Sequence, residues 1–226
     1  MSEALILSVE TATLSGSVAI VRGEQLLGVV SGDPKISHSN TLLGDIDKLL
    51  AETKINVSDI DVFAVATGPG SFTGLRIGIA TIKALSATLD RPSIGIPTLE
   101  AVALSGGVAE KSVALLPAGR GEVFTQLFSV SAENTVEALD EPAHVPPARL
   151  VERYGQLESV TWGGEGAIVH RELIESSAAG KNWSIAPPDT NLAVHVARLA
   201  LNASHFDDAY TLRAIYVRPA DAVLKT

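Results

Sequence analysis

The chain has 226 residues, of which 46% are hydrophobic but only 4% aromatic, and its 17 basic against 26 acidic side chains leave a formal net charge of −9. That length suffices for one or two domains with a filled core. The acid excess suits a phosphate backbone poorly, so any contact with nucleic acid is expected mainly through a partner. With no cysteine, disulfides, thiolate zinc sites and thiol catalysis are excluded.

The opening MSEALILSVETATLSGSVAIV lacks a basic start, carries Glu3 and Glu10 around a short apolar run, and alternates like a strand rather than a signal peptide. No apolar stretch reaches the roughly 18–20 residues of a membrane span, so a soluble, cytoplasmic protein is expected. Strands are predicted at 4–10, 17–22 and 25–31, the latter two joined as a hairpin through Gly23 and Glu24. A helix follows over 38–53, where Leu42, Leu43, Ile46, Leu49 and Leu50 recur at helical spacing. A strand at 61–68, a helix from about Ser71 to Leu89, a strand at 93–97 and a helix at 98–106 complete the first half. The order βββαβαβα predicts an α/β fold with a mixed sheet, its antiparallel edge followed by crossover strands.

The second half repeats the theme weakly. Strands are predicted at 112–119 and 122–130 around an Arg120-Gly121 turn, and the proline-bearing stretch 132–147 is expected to be irregular surface loop. A short helix (148–155), a strand (159–164), helices near 167–177 and 190–203, then a final helical stretch and tail close the chain. Two related subdomains are expected, 1–103 and 104–226, with the tail from about 212 to 226 packing back on the first.

The stretch ATGPGSFTGLRIG, residues 66–78, is a glycine-rich elbow ahead of a helix. It lacks the lysine of a phosphate-binding P-loop, since Leu75 follows Gly74, and its glycine spacing misses the dinucleotide fingerprint. It also lacks the glycines that flank a serine-hydrolase nucleophile. Gly68 and Gly70 are expected to free the backbone, with Ser71 as the helix N-cap and Thr73 as a second hydroxyl. A residual anion site at the Ser71 amides is left open.

The helix beyond predicts a buried stripe of Leu75, Gly78, Ile79, Ile82, Leu85 and Leu89. Its other face, Ile77, Ala80, Thr81, Ala84 and Ala87, is small and almost uncharged, and a helix apolar on both sides must bury both. That second face lies under the other subdomain or against a partner's helix, and small residues favour the partner. Glu10 and Thr11, ending the first strand, are either solvated strand-end residues or, with Glu10 acting through metal-bound water, the edge of a nucleotide site. Gly164, in WGGEGA, is either a plain strand-to-helix turn or a ligand approach. The histidines at 38, 144, 170, 195 and 205 form no i, i+3 or i, i+4 pair, so no helical metal site is expected.

The element order is that of the ribonuclease H-like half-unit of the actin-like ATPase superfamily (ASKHA, with hexokinase). More specifically, SVETAT, ISHSNTLL, DIDVFAVATGPGSFTGLRIGIA, IGIPTLEAVA, GRGEVF and YVRPADA together resemble the TsaB family, also called YeaZ, densely over residues 1–103 and sparsely afterwards. The resemblance implies a two-subdomain actin-like fold and a non-catalytic subunit that heterodimerises with and activates the paralogue TsaD. TsaD transfers a threonylcarbamoyl group to adenosine 37 of tRNA through a metal-binding His-x-x-x-His helix, which this sequence lacks.

It further implies a dimer surface on the first two helices, placed here on Leu42, Leu43, Ile46, Ile77, Ala80, Thr81, Ala84 and Ala87. A TsaE-like ATPase is an implied third component, tRNA is engaged mainly through the complex, and a homodimer through the same face is the arrangement open to the isolated chain. No cofactor is required by the chain itself, nucleotide binding is weak at most, and ATP acts through the complex. An autonomous small kinase or ATPase of the same fold is the alternative. Two departures from the family pattern bear on it: Glu10 replaces the usual Asp, its carboxylate about 1.5 Å farther out on ordinary bond geometry, and Pro117, Ala118 and Gly119 replace an Asp-Ala-Arg lead-in.

Overall fold

The computed structural model describes residues 3–203, 206–207 and 209–217. β1 (Leu5–Glu10), β2 (Ser17–Arg22) and β3 (Gln25–Ser31) form an antiparallel meander, and α1 (His38–Thr53) follows. β4 (Val62–Gly68), α2 (Phe72–Leu89), β5 (Ser93–Pro97) and α3 (Thr98–Ser105) come next, with β4 parallel to both β1 and β5. The sheet order is β3-β2-β1-β4-β5. Every residue of β1 and β4 is buried, as expected of central strands covered on both faces.

One face of this sheet, with Leu5, Leu7, Val9, Phe63 and Val65, packs against Leu42, Ile46 and Leu49 of α1 and Ile79 and Ile82 of α2. α1 and α2 each end on a left-handed residue, Lys54 and Asp90, whose amides return to the preceding turn.

β6 (Ala109–Gly119) and β7 (Glu122–Val130) start the second sheet, with β8 (Val136–Ala138) and β9 (Ala143–Val145) both antiparallel to β7. α4 (Ala148–Tyr154), β10 (Ser159–Gly163), α5 (Glu165–Val169), α6 (Arg171–Ser177), β11 (Asn182–Ile185) and α7 (Leu192–Leu201) complete the elements. The sheet order β8-β7-β6-β10-β11 has β10 parallel to β6 and β11. It repeats the first sheet strand for strand, an antiparallel meander continued by two parallel strands. Trp162, Tyr154, Val160, Leu150 and Ile174 fill its core.

The structure corrects several expectations here. Residues 132–147 are not irregular throughout: β8 and β9 add to β7, and the intervening Asp140 accepts from the Leu127 amide at 2.7 Å. The helix near 167–177 is two helices broken at His170, whose φ of −104° lies outside helical geometry. β11 was not predicted at all. No helix forms over the described residues 209–217, and of the tail expected over about 212–226 the part from 218 onward lies outside the described residues.

The chain divides into one unit of residues 1–101 with 190–214, and another of 102–189 with 215–226. The return to the first unit therefore starts at Thr190, not near 212. The physical reason is α7, whose Ala193 and Val194 pack on Ala19 of β2. Ser8 Oγ donates to the Ala193 carbonyl at 2.7 Å, and the Ala193 amide to Ser17 Oγ at 3.0 Å. α7 covers the sheet face that α1 and α2 leave bare, and Leu212 and Ala214 then join the α1/α2-side core.

Candidate functional site

Glu10 ends β1 fully buried, so neither a solvated strand-end residue nor a carboxylate reaching outward describes it. Its side chain folds back on the hairpin that follows. Oε1 accepts the amides of Ala12 (2.5 Å) and Thr13 (2.8 Å), and Oε2 accepts the Thr13 hydroxyl at 2.7 Å. Burial raises the Glu10 carboxyl above its ordinary value, and the Thr13 and Ala12 donors, with His38 beside them, offset that only in part. His38, the first residue of α1, puts Nε2 2.9 Å from the Thr13 carbonyl oxygen. Gly16 lies against that ring, where a Cβ would come within 2.6 Å of Cε1.

The same hairpin receives the glycine elbow. Thr11 Oγ1 donates to the Gly74 carbonyl at 2.8 Å, and the Ser71 amide donates to the Ala12 carbonyl at 2.8 Å. A Cβ on Gly70 would meet Ala12 at 2.6 Å, one on Gly74 the Thr11 carbonyl at 1.9 Å, and one on Gly78 the Thr11 hydroxyl at 2.3 Å. These three glycines, four residues apart, let the start of α2 touch the hairpin backbone. Gly68 has the role expected of it, with φ +114° ahead of a cis bond to Pro69 and its amide held by Thr98 Oγ1 at 3.0 Å. Ser71 caps α2, its Oγ accepting from the Gly74 amide at 3.2 Å. The Ser71 amide is engaged by Ala12, so the anion site left open there is not formed by that group. Thr73 is exposed on the first turn.

The sequence reading kept the strand end with Glu10 and Thr11 apart from the elbow with Gly70 and Ser71, and the structure brings them into one locus. Gly74, Gly78, Ala12, Thr13 and His38 complete that locus, and the four-residue glycine spacing was the available signal. The fit to a magnesium nucleotide at this hairpin is poor. The acid that would reach a metal-bound water and the amides that would face a phosphate are bonded to each other. Gly164, in the second unit, has φ +89°, and a Cβ there would lie 2.3 Å from the Leu115 carbonyl, so its lack of a side chain serves helix-on-strand packing. Among the described residues no group of three or more His, Cys, Asp or Glu is placed to hold a metal; His205 lies outside them.

The expected partner face divides in two. Leu42 and Ile46 are 5% and 3% exposed, inside the α1/α2-side core; they point at β-strands and are not a surface, which corrects their assignment. Leu43 is 65% exposed, Ala80, Ala84 and Ala87 are exposed, and Ile77 and Thr81 are half-buried. At the start of the same helix Phe72 is 41% exposed, with the Arg76 guanidinium 3.8 Å from its ring centroid.

Two units that each carry an antiparallel meander continued by parallel strands define the actin-like ATPase fold, here with the acid of the first strand tied into its own hairpin. Residues 19–217 match the family described as "TsaD: tRNA N6-adenosine threonylcarbamoyltransferase". The "tRNA threonylcarbamoyladenosine biosynthesis protein TsaB" of Escherichia coli is 30% identical over 163 residues, 70% of each chain. The Haemophilus influenzae protein of that name is 26% identical over 96% of this chain and 95% of its own. The solved structure "YeaZ from Pseudomonas aeruginosa" superposes with a TM-score of 0.77 at 23% identity, covering 94% of this chain and 99% of that one. The chain belongs to this TsaD-type family, among the proteins named TsaB. No helix among the described residues is long and apolar enough to cross a membrane.

Proposed function

We propose that this chain is a subunit of the machinery that makes threonylcarbamoyladenosine on tRNA, and that it activates a TsaD-type transferase by docking rather than by chemistry of its own. The observation that carries the reading is the outer face of α2. Exposed Phe72, Ala80, Ala84 and Ala87, with exposed Leu43 on the adjoining α1, make an apolar surface with little side-chain bulk in a family whose members work in tRNA modification. Short side chains let a second helix approach closely, and the aromatic at one end supplies area. Docking stabilises the competent state of the transferase, a shift of population rather than a chemical step.

In this reading the chain requires no cofactor of its own, ATP acts through the complex and a TsaE-like ATPase, and tRNA is held mainly by the assembly. The acidic chain works in the cytoplasm, and its α2 face pairs two copies when the transferase is absent. The self-bonded Glu10 supports this reading over an autonomous kinase or ATPase. The test is a reconstituted modification assay with the TsaD-type and TsaE-like proteins of the same cell. Threonylcarbamoylated tRNA accumulates only when this chain is present, and equal accumulation without it would overturn the proposal.

A further inference from the structure

We infer that the β1–β2 hairpin is an anion nest filled by the chain's own Glu10 carboxylate, and that this resident anion, in place of any bound ligand, fixes the first turns of α2. Two successive amides and a hydroxyl converge on one carboxylate within 2.5–2.8 Å. Successive backbone N–H groups in a tight loop form a concavity that selects an oxyanion. Here the oxyanion is covalently attached and fully buried, so the nest is occupied in every molecule.

The nest does not stand alone. Ala12, whose amide binds the carboxylate, presents its carbonyl to the Ser71 amide, and Thr11 reaches the Gly74 carbonyl. Absent side chains at Gly70, Gly74 and Gly78 let α2 and the elbow before it press onto two of these hairpin residues, Thr11 and Ala12. Hairpin shape and the position of the α2 start are therefore one variable. A loop filled from solution would present α2 only when its ligand is bound, whereas a loop filled by Glu10 presents it always. The part of this inference that concerns docking rests on the proposed function; the filled nest does not.

The test uses the full chain, its Glu10→Ala and Glu10→Gln variants, and sodium formate as the probe, with sodium chloride at equal ionic strength as control. E10A melts lower than wild type in chloride and recovers saturably in formate, which the wild type does not. E10A binds the TsaD-type transferase at least tenfold more weakly in chloride, and formate restores most of that loss. E10Q, whose neutral carbonyl oxygen still accepts both amides but brings no charge, falls between E10A and wild type. Should E10A not fold in either salt, amide hydrogen exchange of the wild type and E10Q decides, since a filled nest slows Ala12 and Thr13 at least a hundredfold relative to an open loop. An E10A protein that melts like wild type with no formate response, or fast exchange at both amides in the wild type, overturns the inference. A formate response with no transferase binding by any form, wild type included, leaves the nest standing and removes the docking role.

Discussion

Glu100, in the first turn of α3, has its carboxyl pushed up to about 7 by burial. The folded protein therefore holds a proton there that the unfolded chain, near the ordinary carboxylate value, has released. Between about pH 4.5 and 7 the native state binds more protons, so this residue's contribution to stability falls as pH rises. Discounted for residual exposure, the loss is on the order of 1–2 kcal/mol. Glu100→Gln removes the loss. In urea titrations it gains on wild type progressively from pH 4.5 to 8, and parallel profiles would contradict the assignment. Two helical glycines give opposite signs. Gly74→Ala places a methyl 1.9 Å from the Thr11 carbonyl and costs about 1–3 kcal/mol or more by overpacking. Gly44→Ala in α1 meets nothing within 4 Å and stabilises by about 0.5–1 kcal/mol through helix propensity. Denaturant midpoints of the two variants check both. At this scale the sequence carried the residue types but not the contacts. Glu10 ends a strand and is followed by small polar residues, a context shared by solvated and ligand-binding acids. Only the fold of the hairpin shows that its carboxylate turns inward.

Elements of the first unit were legible because each is long enough to show its period. β1 and β4 are buried on both faces, and α2 is capped by the serine that its sequence offers. What stayed hidden is short. β8 and β9 have three residues each, too few for alternation to register, and they are held by a side chain rather than by propensity. Asp140 Oδ2 accepts from Arg153 and from the Tyr154 hydroxyl at 3.1 Å, while Oδ1 holds the Leu127 amide. Burial pushes Tyr154 up to about 12, so it stays a neutral donor across the physiological range. Asp140→Ala leaves that hydroxyl and the Leu127 amide without their acceptor, and is expected to lower unfolding free energy by about 2–3 kcal/mol. Arg153→Ala, which removes a partly exposed partner, costs less than about 1 kcal/mol. Equal effects in chemical denaturation would show that the clamp is a surface ion pair only.

Over the whole chain, one strand topology occurs twice, and the two halves differ in how openly they declare it. The first half carries it as apolar runs and a glycine elbow. The second half carries it with helices of five to seven residues and a four-residue β11, whose NWSI offers little pattern. The return of α7 to the first sheet depends on contacts between residues more than 170 apart in sequence, Ser8 and Ser17 with Ala193, which no local signal encodes. The glycine-rich stretch 66–78, which invites a phosphate-loop reading, is a packing device that joins a self-filled hairpin to a helix. On the outer side of that helix Ala80, Ala84 and Ala87 are exposed, while Ile77 packs against the core. The central claim is that this face activates the transferase, and it is tested by changing Ala80 and Ala84 together to arginine. Both are exposed, so stability should stay within about 0.5 kcal/mol of wild type at each site. In the reconstituted modification assay the double variant is expected to lose at least nine-tenths of the stimulation given by the wild-type chain, together with co-purification of the transferase. Full stimulation by a folded double variant would contradict the account.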